Sequence, residues 1–277
     1  MKLHIQNEFG TLKSAVVCWG ENIPTFENYR TNDPEFTKYH PYSWNKDLLL
    51  KQQEEFFKLL EKYNVKLIFP KTIPHLLWQM YTRDTAFVID NKLYYSPLRK
   101  LQARNGEVDS LLDTLNIPED QIVTLKAEIE GGDILVTSKK SIYIGHGSRT
   151  TNESIRSVGK YVQTKTFELG KNVMHLDTRL TLLPKNIVLA YLNAFDKHTV
   201  DYLNSTYKVI EITDDAVEKL GVNVFIINPE TILVPLQHAR IRNVLKDEGF
   251  KVEMLSYTEP INLGGSFRCT TLPIERA

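Results

Sequence analysis

The chain has 277 residues, 42% of them hydrophobic and 25% charged, which is ordinary for a globular protein and leaves room for one large domain or two small ones. Its 34 basic and 34 acidic side chains cancel. Without a basic patch, the sequence excludes the usual nucleic-acid binders and the proteins that attach to anionic membranes. Only two cysteines occur, Cys18 and Cys269, so no disulfide framework is expected. No apolar run has the roughly 20 residues of a membrane-spanning helix, and the N-terminus lacks a secretory signal, so we expect a cytoplasmic protein.

Paired strands recur along the chain. Four times, a short apolar run is followed by a polar turn and a second apolar run, which is the pattern of a β-hairpin. These hairpins begin near Asp84, Asp133, Arg179 and Asn223, about 45 residues apart. Helix-like stretches lie between the strand pairs, and a further strand-like run follows them. The helix-like stretches are residues 47–63, 152–161, 197–203 and 239–248. The repeating unit is therefore strand, strand, helix, strand.

About five such units fit the chain, counting one that opens at Lys13. Closing the units into a ring removes the exposed sheet edges that would otherwise promote aggregation. We therefore predict a five-bladed α/β propeller that occupies residues 1–277 as a single domain. An open α/β sandwich is the alternative, but it needs single strands that alternate with helices, and the paired strands disfavour it.

Polar motifs stand at the ends of the predicted strands. In a radial fold the equivalent ends of successive blades converge on the axis, so residues far apart in sequence can line one pocket. The motifs are Tyr81-Thr82-Arg83-Asp84, Glu130-Gly131-Gly132-Asp133, Gly147-Ser148-Arg149-Thr150, Met174-His175-Leu176-Asp177-Thr178 and Gly264-Gly265-Ser266-Phe267-Arg268-Cys269.

The last of these motifs makes Cys269 a candidate nucleophile. A lone cysteine is most often a small buried apolar side chain, and Cys18, within an alternating apolar strand, fits that role. Cys269 differs because paired glycines upstream let the backbone approach a ligand closely, and a nearby cation would activate the thiol. His175, with an unperturbed pKa of about 6.5, is a candidate general acid and base, and Glu130 is an acid that could stand beside it.

The other charged residues predict a ligand with two charged ends. Asp84 and Asp177 would ordinarily begin a hairpin or a turn, but two carboxylates that face one pocket can hold a guanidinium through paired, charge-assisted hydrogen bonds. Arg149 and Arg104 would ordinarily be solvated in polar loops, but either can hold a carboxylate bidentately. Together these residues describe a site for a small molecule with a guanidinium at one end and a carboxylate at the other.

This set of motifs resembles the guanidino-group-modifying superfamily, which includes arginine deiminases, dimethylarginine dimethylaminohydrolases and amidinotransferases. The resemblance runs from about residue 12 to residue 272. The motifs Thr-Arg-Asp, Glu-Gly-Gly-Asp, His-Leu-Asp and Gly-Gly-x-x-x-Cys all occur, and in the superfamily's order. The resemblance implies the five-bladed α/β propeller and a reaction that uses no cofactor and no metal, and the sequence has no cluster with metal-ligand spacing.

By motif, Cys269 resembles the superfamily's nucleophile, His175 its acid-base residue and Glu130 the carboxylate beside that histidine. Asp84 and Asp177 resemble its guanidinium clamp. The implied reaction starts when the thiolate attacks the central guanidinium carbon and the histidine protonates the departing nitrogen. Water, deprotonated by the same histidine, then attacks the covalent amidino-thioether and releases a urea-type product such as citrulline.

The substrate implied by the resemblance is a small guanidino compound that carries a carboxylate. Arg149 resembles the carboxylate-binding arginine of the superfamily's Arg-Thr loop, and Arg104 resembles a second one in an Arg-x-x-Glu pattern that is less well matched. Association into a homo-oligomer is left open. An insertion at residues 21–44, rich in proline, asparagine and aromatic residues, is either a lid over the pocket or an ordinary surface loop. Its candidate covering residues are Tyr29, Tyr39 and Trp44.

The branch of the superfamily stays open at this point. The length is like that of the dimethylarginine hydrolases, but the motifs at Asp84 and Asp177 resemble those of arginine deiminases and amidinotransferases. A second clamp carboxylate favours an unmethylated nitrogen, so we expect hydrolysis of arginine or a related guanidino compound, with amidino transfer or dimethylarginine hydrolysis as alternatives. A non-enzymatic ribosome-binding factor also has the propeller fold, but that alternative predicts the loss of residues that are present here.

Overall fold

The computed structural model describes residues 1–32, 42–98 and 101–277. Its strands form five small sheets. Each sheet has three strands. In chain order the strands are β1 (Leu12–Val16), β2 (Lys66–Ile68), β3 (Phe87–Ile89), β4 (Lys92–Tyr95), β5 (Ile122–Thr124), β6 (Ile134–Ser138), β7 (Ser141–His146), β8 (Gln163–Glu168), β9 (Leu180–Leu183), β10 (Ile187–Ala190), β11 (Lys208–Glu211), β12 (Phe225–Asn228), β13 (Thr231–Pro235), β14 (Lys251–Leu255) and β15 (Leu272–Arg276).

The sheets repeat one topology. In four of them two consecutive strands pair antiparallel, and a third strand, reached through a helix, pairs parallel with the second. These sheets are β3–β4–β5, β6–β7–β8, β9–β10–β11 and β12–β13–β14, which we number as blades 2 to 5. In blade 2, for example, Val88 lies opposite Leu93, and Tyr94 lies beside Val123. The predicted strand, strand, helix, strand unit and the five-bladed α/β propeller are confirmed.

Blade 1 is built from both end regions of the chain. β1 pairs antiparallel with β15, so that Val16 lies opposite Leu272, and it pairs parallel with β2. The sequence predicted that this unit opens at Lys13 but gave no antiparallel partner for its strand, because that partner follows all the other blades. The pairing of β15 with β1 closes the ring, and Cys269 stands three residues before β15.

The described ranges contain eight α-helices, most of which connect strands within a blade. They are α1 (Phe26–Asn32), α2 (Lys46–Lys62), α3 (Glu107–Leu115), α4 (Asn152–Val158), α5 (Lys197–Thr206), α6 (Asp214–Glu218), α7 (Ala239–Asp247) and α8 (Thr258–Asn262). Asn45 caps α2 by accepting the N–H of Leu48 at 2.9 Å, which satisfies a donor that a helix start leaves open. The four predicted helix-like stretches correspond to α2, α4, α5 and α7. None of the helices in these ranges is long and apolar enough to cross a membrane.

Apolar side chains fill the space between neighbouring blades. Every residue of β3, β9 and β10 is buried, as expected for strands that are covered on both faces. Between blades 1 and 5, Phe56 of α2 packs edge-on against Phe225 of β12, with ring centroids 6.1 Å apart. Interiors packed in this way have low compressibility. The strand ends that carry the polar motifs are therefore held in fixed positions.

The predicted lid, residues 21–44, contains α1 and ends just before α2. Trp44 is buried, and its ring meets Phe26 and Tyr29 edge-on, with centroids 5.0 and 5.6 Å away. Tyr29 in turn lies against Trp78, at a centroid distance of 6.1 Å. Residues 33–41, which include Tyr39, lie outside the described residues, so the lid remains a prediction.

Candidate active site

Short turns bring polar residues from all five blades to one end of the ring. A single 3-10 turn precedes the first strand of blades 2, 3 and 4, and neighbouring turns of this set contact one another. These turns are Thr82–Asp84, Gly131–Asp133 and Leu176–Thr178. Asn223 stands two residues before β12 in blade 5, and Cys269 occupies the corresponding place in blade 1. The repeat therefore assembles a site from residues that are far apart in sequence.

The site opens into a cavity of about 260 Å³, which is close to the lower end of the range for small-molecule pockets. Five of the seven predicted site residues lie in its wall: Asp84, Arg104, Arg149, His175 and Cys269. Much of the remaining wall is apolar or aromatic. It includes Trp78, Tyr81, Leu101, Met174, Val217 and Leu263. The cavity therefore combines a charged region with apolar walls, as a site for a small polar molecule requires.

Cys269 is buried in the cavity wall, and its thiol lies 3.6 Å from Oδ1 of Asn223. Burial raises the pKa of the thiol well above its ordinary value, and the nearby carboxylates of Asp177 and Asp84 raise it further. Gly265, four residues before it, is needed for close packing. A Cβ on Gly265 would lie only 2.2 Å from Cε1 of Tyr81, so this position admits no side chain unless the wall of the cavity moves.

Two carboxylates flank the ring of His175. Its Nε2 atom is 2.7 Å from Oε2 of Glu130, and its Nδ1 atom is 3.7 Å from Oδ1 of Asp84. Burial lowers the pKa of His175, but the surrounding acids outweigh burial and raise this pKa to about 10. Conversely, burial raises the pKa of Glu130, but its hydrogen bond to His175 brings that pKa to about 2. The ring is therefore an imidazolium at neutral pH, the state that can protonate a leaving group.

Gly132, two residues after Glu130, makes room for this ring. A Cβ on Gly132 would lie 2.7 Å from both Cγ and Nδ1 of His175. Next in the chain, Asp133 accepts hydrogen bonds from the backbone N–H of Leu176 at 2.9 Å and from the hydroxyl of Thr150 at 2.6 Å. Asp133 therefore ties the turn that carries His175 to blade 3. Its burial raises the pKa of its carboxyl to about 7.

Arg104 completes the surroundings of Asp84. Its Nη1 donates to Oδ2 of Asp84 at 2.7 Å, and its Nε donates to both carboxylate oxygens of Glu107 at 3.1 and 3.0 Å. A further bond joins Nη2 to the carbonyl oxygen of Tyr81 at 3.1 Å. The sequence predicted that Arg104 holds a substrate carboxylate. In the structure its guanidinium pairs with Asp84 and Glu107, because the Arg-x-x-Glu spacing closes a local ion pair. Arg104 also lies in the cavity wall, and its carboxylate-binding role stays a prediction.

Asp177 lies behind the cavity wall and is completely buried. Its Oδ2 atom accepts from Nε of Arg268 at 3.2 Å, and Nη1 of Arg268 also donates to Glu8 at 2.6 Å. The other carboxylate oxygen, Oδ1, has no hydrogen-bond partner among the described residues. An open oxygen on a buried carboxylate is costly unless a ligand pairs with it, which fits the clamp role predicted for Asp177.

Two more arginines line the cavity. Arg149, predicted to hold a substrate carboxylate, lies with Nη1 3.5 Å from Oε1 of Glu130. Arg179, which the sequence marked only as the start of a hairpin, also lies in the wall. One of its N–H groups donates to the carbonyl oxygen of Thr178 at 2.9 Å. Arg149 and Arg179 thus add positive charge to the cavity wall, in addition to the charges around His175.

Sequence reasoning missed Asn223 as a site residue. Its Nδ2 donates to the carbonyl oxygen of Asp177 at 3.1 Å, while its Oδ1 accepts from the backbone N–H of Arg268 at 3.2 Å and from the thiol of Cys269. It therefore joins the clamp acid to the nucleophile. The signal was present, because Asn223 begins the fifth-blade hairpin at the position where blades 2 and 3 carry an aspartate.

One cluster has the composition of a metal site. Asp84, Glu130 and His175 each offer a ligand atom, and these atoms lie within 4.8 Å of one another. Because the residues come from three blades, their spacing in the sequence could not reveal the cluster. In the structure, however, both ring nitrogens of His175 face the two acids, so the imidazolium itself supplies the positive charge that balances them.

Comparison with known proteins places these features in a family context. A family model described as eukaryotic N,N-dimethylarginine dimethylhydrolase (DDAH) matches residues 25–276. The uncharacterised protein YkgA of Bacillus subtilis is 26% identical over 98% of this chain and 94% of its own length. The similarity to YkgA thus extends over nearly the whole of both chains.

Solved structures show the same fold. DDAH from Pseudomonas aeruginosa, as a cysteine-to-serine variant in complex with citrulline, matches with a TM-score of 0.77 at 18% identity, over 95% of this chain and 99% of that chain. SxtG, an amidinotransferase of saxitoxin biosynthesis from Microseira wollei, matches with a TM-score of 0.82 at 17% identity, over 99% and 97%. The N-terminal domain of ArgZ, a cyanobacterial arginine dihydrolase, matches as a substrate-bound cysteine-to-serine variant with a TM-score of 0.80 at 18% identity, over 95% and 98%.

Proposed function

Because the chain belongs to the N,N-dimethylarginine dimethylhydrolase family of guanidino-group-modifying enzymes, we propose that it hydrolyses a guanidino C–N bond of arginine or a related guanidino compound. The observation that carries the proposal is the group of residues at the charged region of the cavity. A thiol, an imidazolium and a carboxylate from three blades meet there, at Cys269, His175 and Asp84, and the carboxylate of Asp177 is buried behind this part of the wall. Carboxylates hold the cation, the thiol attacks its carbon, and the imidazolium protonates the leaving nitrogen.

The guanidinium is held by the two acids of the clamp. Asp177 supplies the buried Oδ1 atom that has no partner among the described residues, and Asp84 supplies a carboxylate already placed beside the ring of His175. Charge-assisted N–H···O bonds to both acids would fix the plane of the guanidinium. That orientation presents the central carbon to the thiol.

Entry of the cation activates the nucleophile. In the empty site burial and the negative charges of Asp177 and Asp84 raise the pKa of Cys269, so the thiol is protonated. A guanidinium between these acids offsets their charge and favours the thiolate, because a neighbouring cation lowers a thiol pKa. The proton passes to solvent, and the thiolate forms only when substrate is bound.

In the first half-reaction Sγ of Cys269 forms a bond to the guanidinium carbon. The C–N bond to the leaving group then breaks, and the leaving nitrogen takes a proton from His175. The cysteine is left with a covalent amidino-thioether, and His175 is left neutral. Stabilisation of the imidazolium by Glu130 keeps the acid charged until this step.

In the second half-reaction water adds to the same carbon while His175 accepts one of its protons. The carbon–sulfur bond then breaks, its electron pair returns to sulfur, and a urea-type product such as citrulline leaves. The net change is the addition of one water and the release of ammonia or an amine. Acid-base assistance of this kind typically accelerates a reaction about 10²–10⁴-fold.

Transfer of the amidino group to an amine is the second candidate. The fold similarity to the amidinotransferase SxtG supports it, and the first half-reaction is the same. Hydrolysis of dimethylarginine is supported by the family match. The open oxygen of Asp177 favours an unmethylated nitrogen, because a methyl group would leave this buried oxygen without a donor.

The test is to incubate the purified protein with arginine, methylated arginines, agmatine and guanidinoacetate, each with and without glycine or ornithine, and to identify products by mass spectrometry. A citrulline-type product formed without an amine acceptor supports hydrolysis. Product formed only with an acceptor identifies a transferase, and turnover of none of these compounds contradicts both proposals.

The nucleophile is tested with two cysteine variants. Cys269→Ser is expected to abolish turnover while the protein stays folded, and rapid-quench mass spectrometry should detect a covalent adduct in the wild type and none in the variant. Cys18→Ala is the matched control, because Cys18 is also buried but lies outside the cavity wall. Retained turnover in Cys269→Ser would contradict the mechanism.

A further inference from the structure

A cavity much smaller than the active site lies among β3, β6 and β15. Its volume is about 10 Å³, which suits one water-sized particle rather than an organic molecule. The wall is largely apolar, and its charged side chains belong to Glu8, Arg83 and Arg276. Within the described ranges, this small cavity and the active-site cavity share no lining residue. A particle bound here would therefore be separate from the guanidino substrate.

Arg83 lies in the wall of the small cavity with hydrogen-bond donors to spare. The residue is only 5% exposed, and its Nε and Nη2 atoms have no hydrogen-bond partner in the part of the chain that the structure describes. Its backbone is fixed, because its N–H donates to the carbonyl oxygen of Cys269 at 3.1 Å. Unpaired donors on a buried charged group are costly. In native proteins such donors are commonly explained by an ordered water or an ion beside them.

The buried charges around the small cavity do not cancel. Three arginines and two acids interact there, and all are at most 5% exposed: Arg83, Arg268, Arg276, Glu8 and Asp177. Both acids pair with Arg268, at 2.6 and 3.2 Å. Arg276 donates instead to two backbone carbonyl oxygens, at 2.6 and 2.9 Å. One positive charge of this group is therefore left without a counterpart.

This charge persists at neutral pH. Burial, together with the positive charge of Arg268, lowers the pKa of Arg83 to about 10, so the guanidinium stays protonated. Both oxygens of Glu8 are already engaged, because Oε1 accepts from the backbone N–H of Val136 at 2.7 Å and Oε2 accepts from Arg268. A water molecule would accept a hydrogen bond from Arg83 but leave the charge unbalanced. A monoatomic anion supplies both the acceptor and the charge.

We propose that the small cavity binds one chloride ion, which accepts hydrogen bonds from Nε and Nη2 of Arg83. The ion balances the excess positive charge, and larger anions such as phosphate, sulfate or acetate do not fit a cavity of about 10 Å³. Arg83 directly precedes Asp84, an acid of the proposed guanidinium clamp, in the turn Thr82–Asp84. Chloride should therefore stabilise the fold around this turn. A site of this kind is independent of guanidino hydrolysis.

The first experiment measures thermal melting in chloride and in gluconate, an anion too large for the cavity, at equal ionic strength. Wild type should melt about 2–5 °C higher in sodium chloride than in sodium gluconate, each at about 0.2 M, with a saturable dependence on chloride. Arg83→Met should lose this difference. Arg156→Gln, which alters an exposed arginine, is the control and should keep it. Glu8→Gln removes one of the balancing acids, so its difference should exceed that of the wild type.

A diffraction experiment locates the ion directly and needs no variant. Long-wavelength data from wild-type crystals grown in sodium chloride should show an anomalous peak for chlorine within hydrogen-bond distance of Nε and Nη2 of Arg83. A water molecule there without that signal overturns the proposal, and so does equal melting in chloride and gluconate. A chloride effect that persists in folded Arg83→Met assigns the effect to another site and also overturns it. Failure of every turnover assay would overturn guanidino hydrolysis and leave the chloride site intact.

Discussion

Nε2 of His175 lies 2.7 Å from Oε2 of Glu130, and both side chains are almost completely buried. A short hydrogen bond in a buried site holds the histidine as a cation over a wide pH range. His175, the proposed general acid, is thus kept protonated by Glu130 rather than by the solvent. The pH dependence of kcat should therefore report the protonation of His175.

Glu130→Gln should move the basic limb of the kcat–pH profile to lower pH by roughly 1–2 units, because the amide no longer stabilises the imidazolium. The pKa of His175 is raised to about 10 in the wild type, so the wild-type profile should show no loss of the acid between pH 7 and 9. The measurement is kcat from pH 6 to 11 with saturating substrate.

The surface pair His146–Glu168 supplies a matched control, since its histidine Nδ1 also lies 2.7 Å from a glutamate oxygen. Glu168→Gln should leave the kcat–pH profile of the wild type unchanged. A profile in Glu130→Gln that coincides with that of the wild type would show that Glu130 does not set the charge of His175.

Asp177→Asn should weaken substrate binding and also destabilise the fold, because Asp177 shares Arg268 with Glu8. Breaking one partner of a buried ion pair costs about 3–5 kcal/mol. Glu8→Gln breaks the other pair to Arg268 but leaves both acids of the proposed guanidinium clamp, Asp84 and Asp177, in place. Urea unfolding and steady-state kinetics on both variants separate the two effects.

Both variants are expected to unfold at lower urea concentrations, and only Asp177→Asn should raise KM, by about 10-fold or more. Equal KM values in the two variants would remove Asp177 from the guanidinium clamp and leave it a structural partner of Arg268.

Gly132→Ala should displace the ring of His175, since the added Cβ would lie 2.7 Å from two ring atoms. Misplacing a catalytic group by about 1 Å can cost 10²-fold in rate, so we expect kcat to fall by about that factor. Gly170→Ala is the control, because its Cβ would meet nothing closer than Val173 at 4.0 Å. Wild-type kcat in Gly132→Ala would contradict the close packing described for this turn.

Asp133→Asn should change how stability depends on pH. Burial raises the pKa of Asp133 from 3.8 to about 7, so the neutral carboxyl stabilises the fold below pH 3.8 and this contribution is lost as the pH rises through about 7. An asparagine has no such titration. Relative to the wild type, the variant should therefore gain stability between pH 4 and pH 8, at roughly 1.4 kcal/mol per unit of the pKa difference.

Urea unfolding of both proteins at pH 4, 6 and 8 measures this difference. A constant difference across the three pH values would mean that Asp133 has an ordinary pKa in the folded protein.

The sequence predicted the blades well where both strands of a hairpin are neighbours in the chain. The four hairpins begin near Asp84, Asp133, Arg179 and Asn223, and the strands β3, β6, β9 and β12 follow within three residues. Alternating apolar runs and polar turns are local signals, and they suffice for pairs of this kind. The antiparallel partner of β1 carries no local signal of its pairing.

Side-chain pairing within the site was less predictable. Arg104 was predicted to bind the ligand, and the sequence did not reveal that its guanidinium pairs with Asp84, which comes from another part of blade 2. Asn223 and Arg179 were recognised only as hairpin starts, and their contacts with Cys269 and with the cavity depend on how blades pack. Residue type and spacing indicate which groups reach the axis, whereas their partners follow from three-dimensional packing.

The closure of blade 1 by β15 has a consequence for the timing of activity during synthesis. Residues 264–276 supply both the final strand of the ring and the thiol that we propose as nucleophile. A nascent chain whose residues 264–276 are still inside the ribosome has neither, and β1 then exposes a strand edge open to pairing with other chains. Reactivity towards guanidino compounds should therefore appear only when the ring can shut, so that an unfinished molecule is inert rather than partly active.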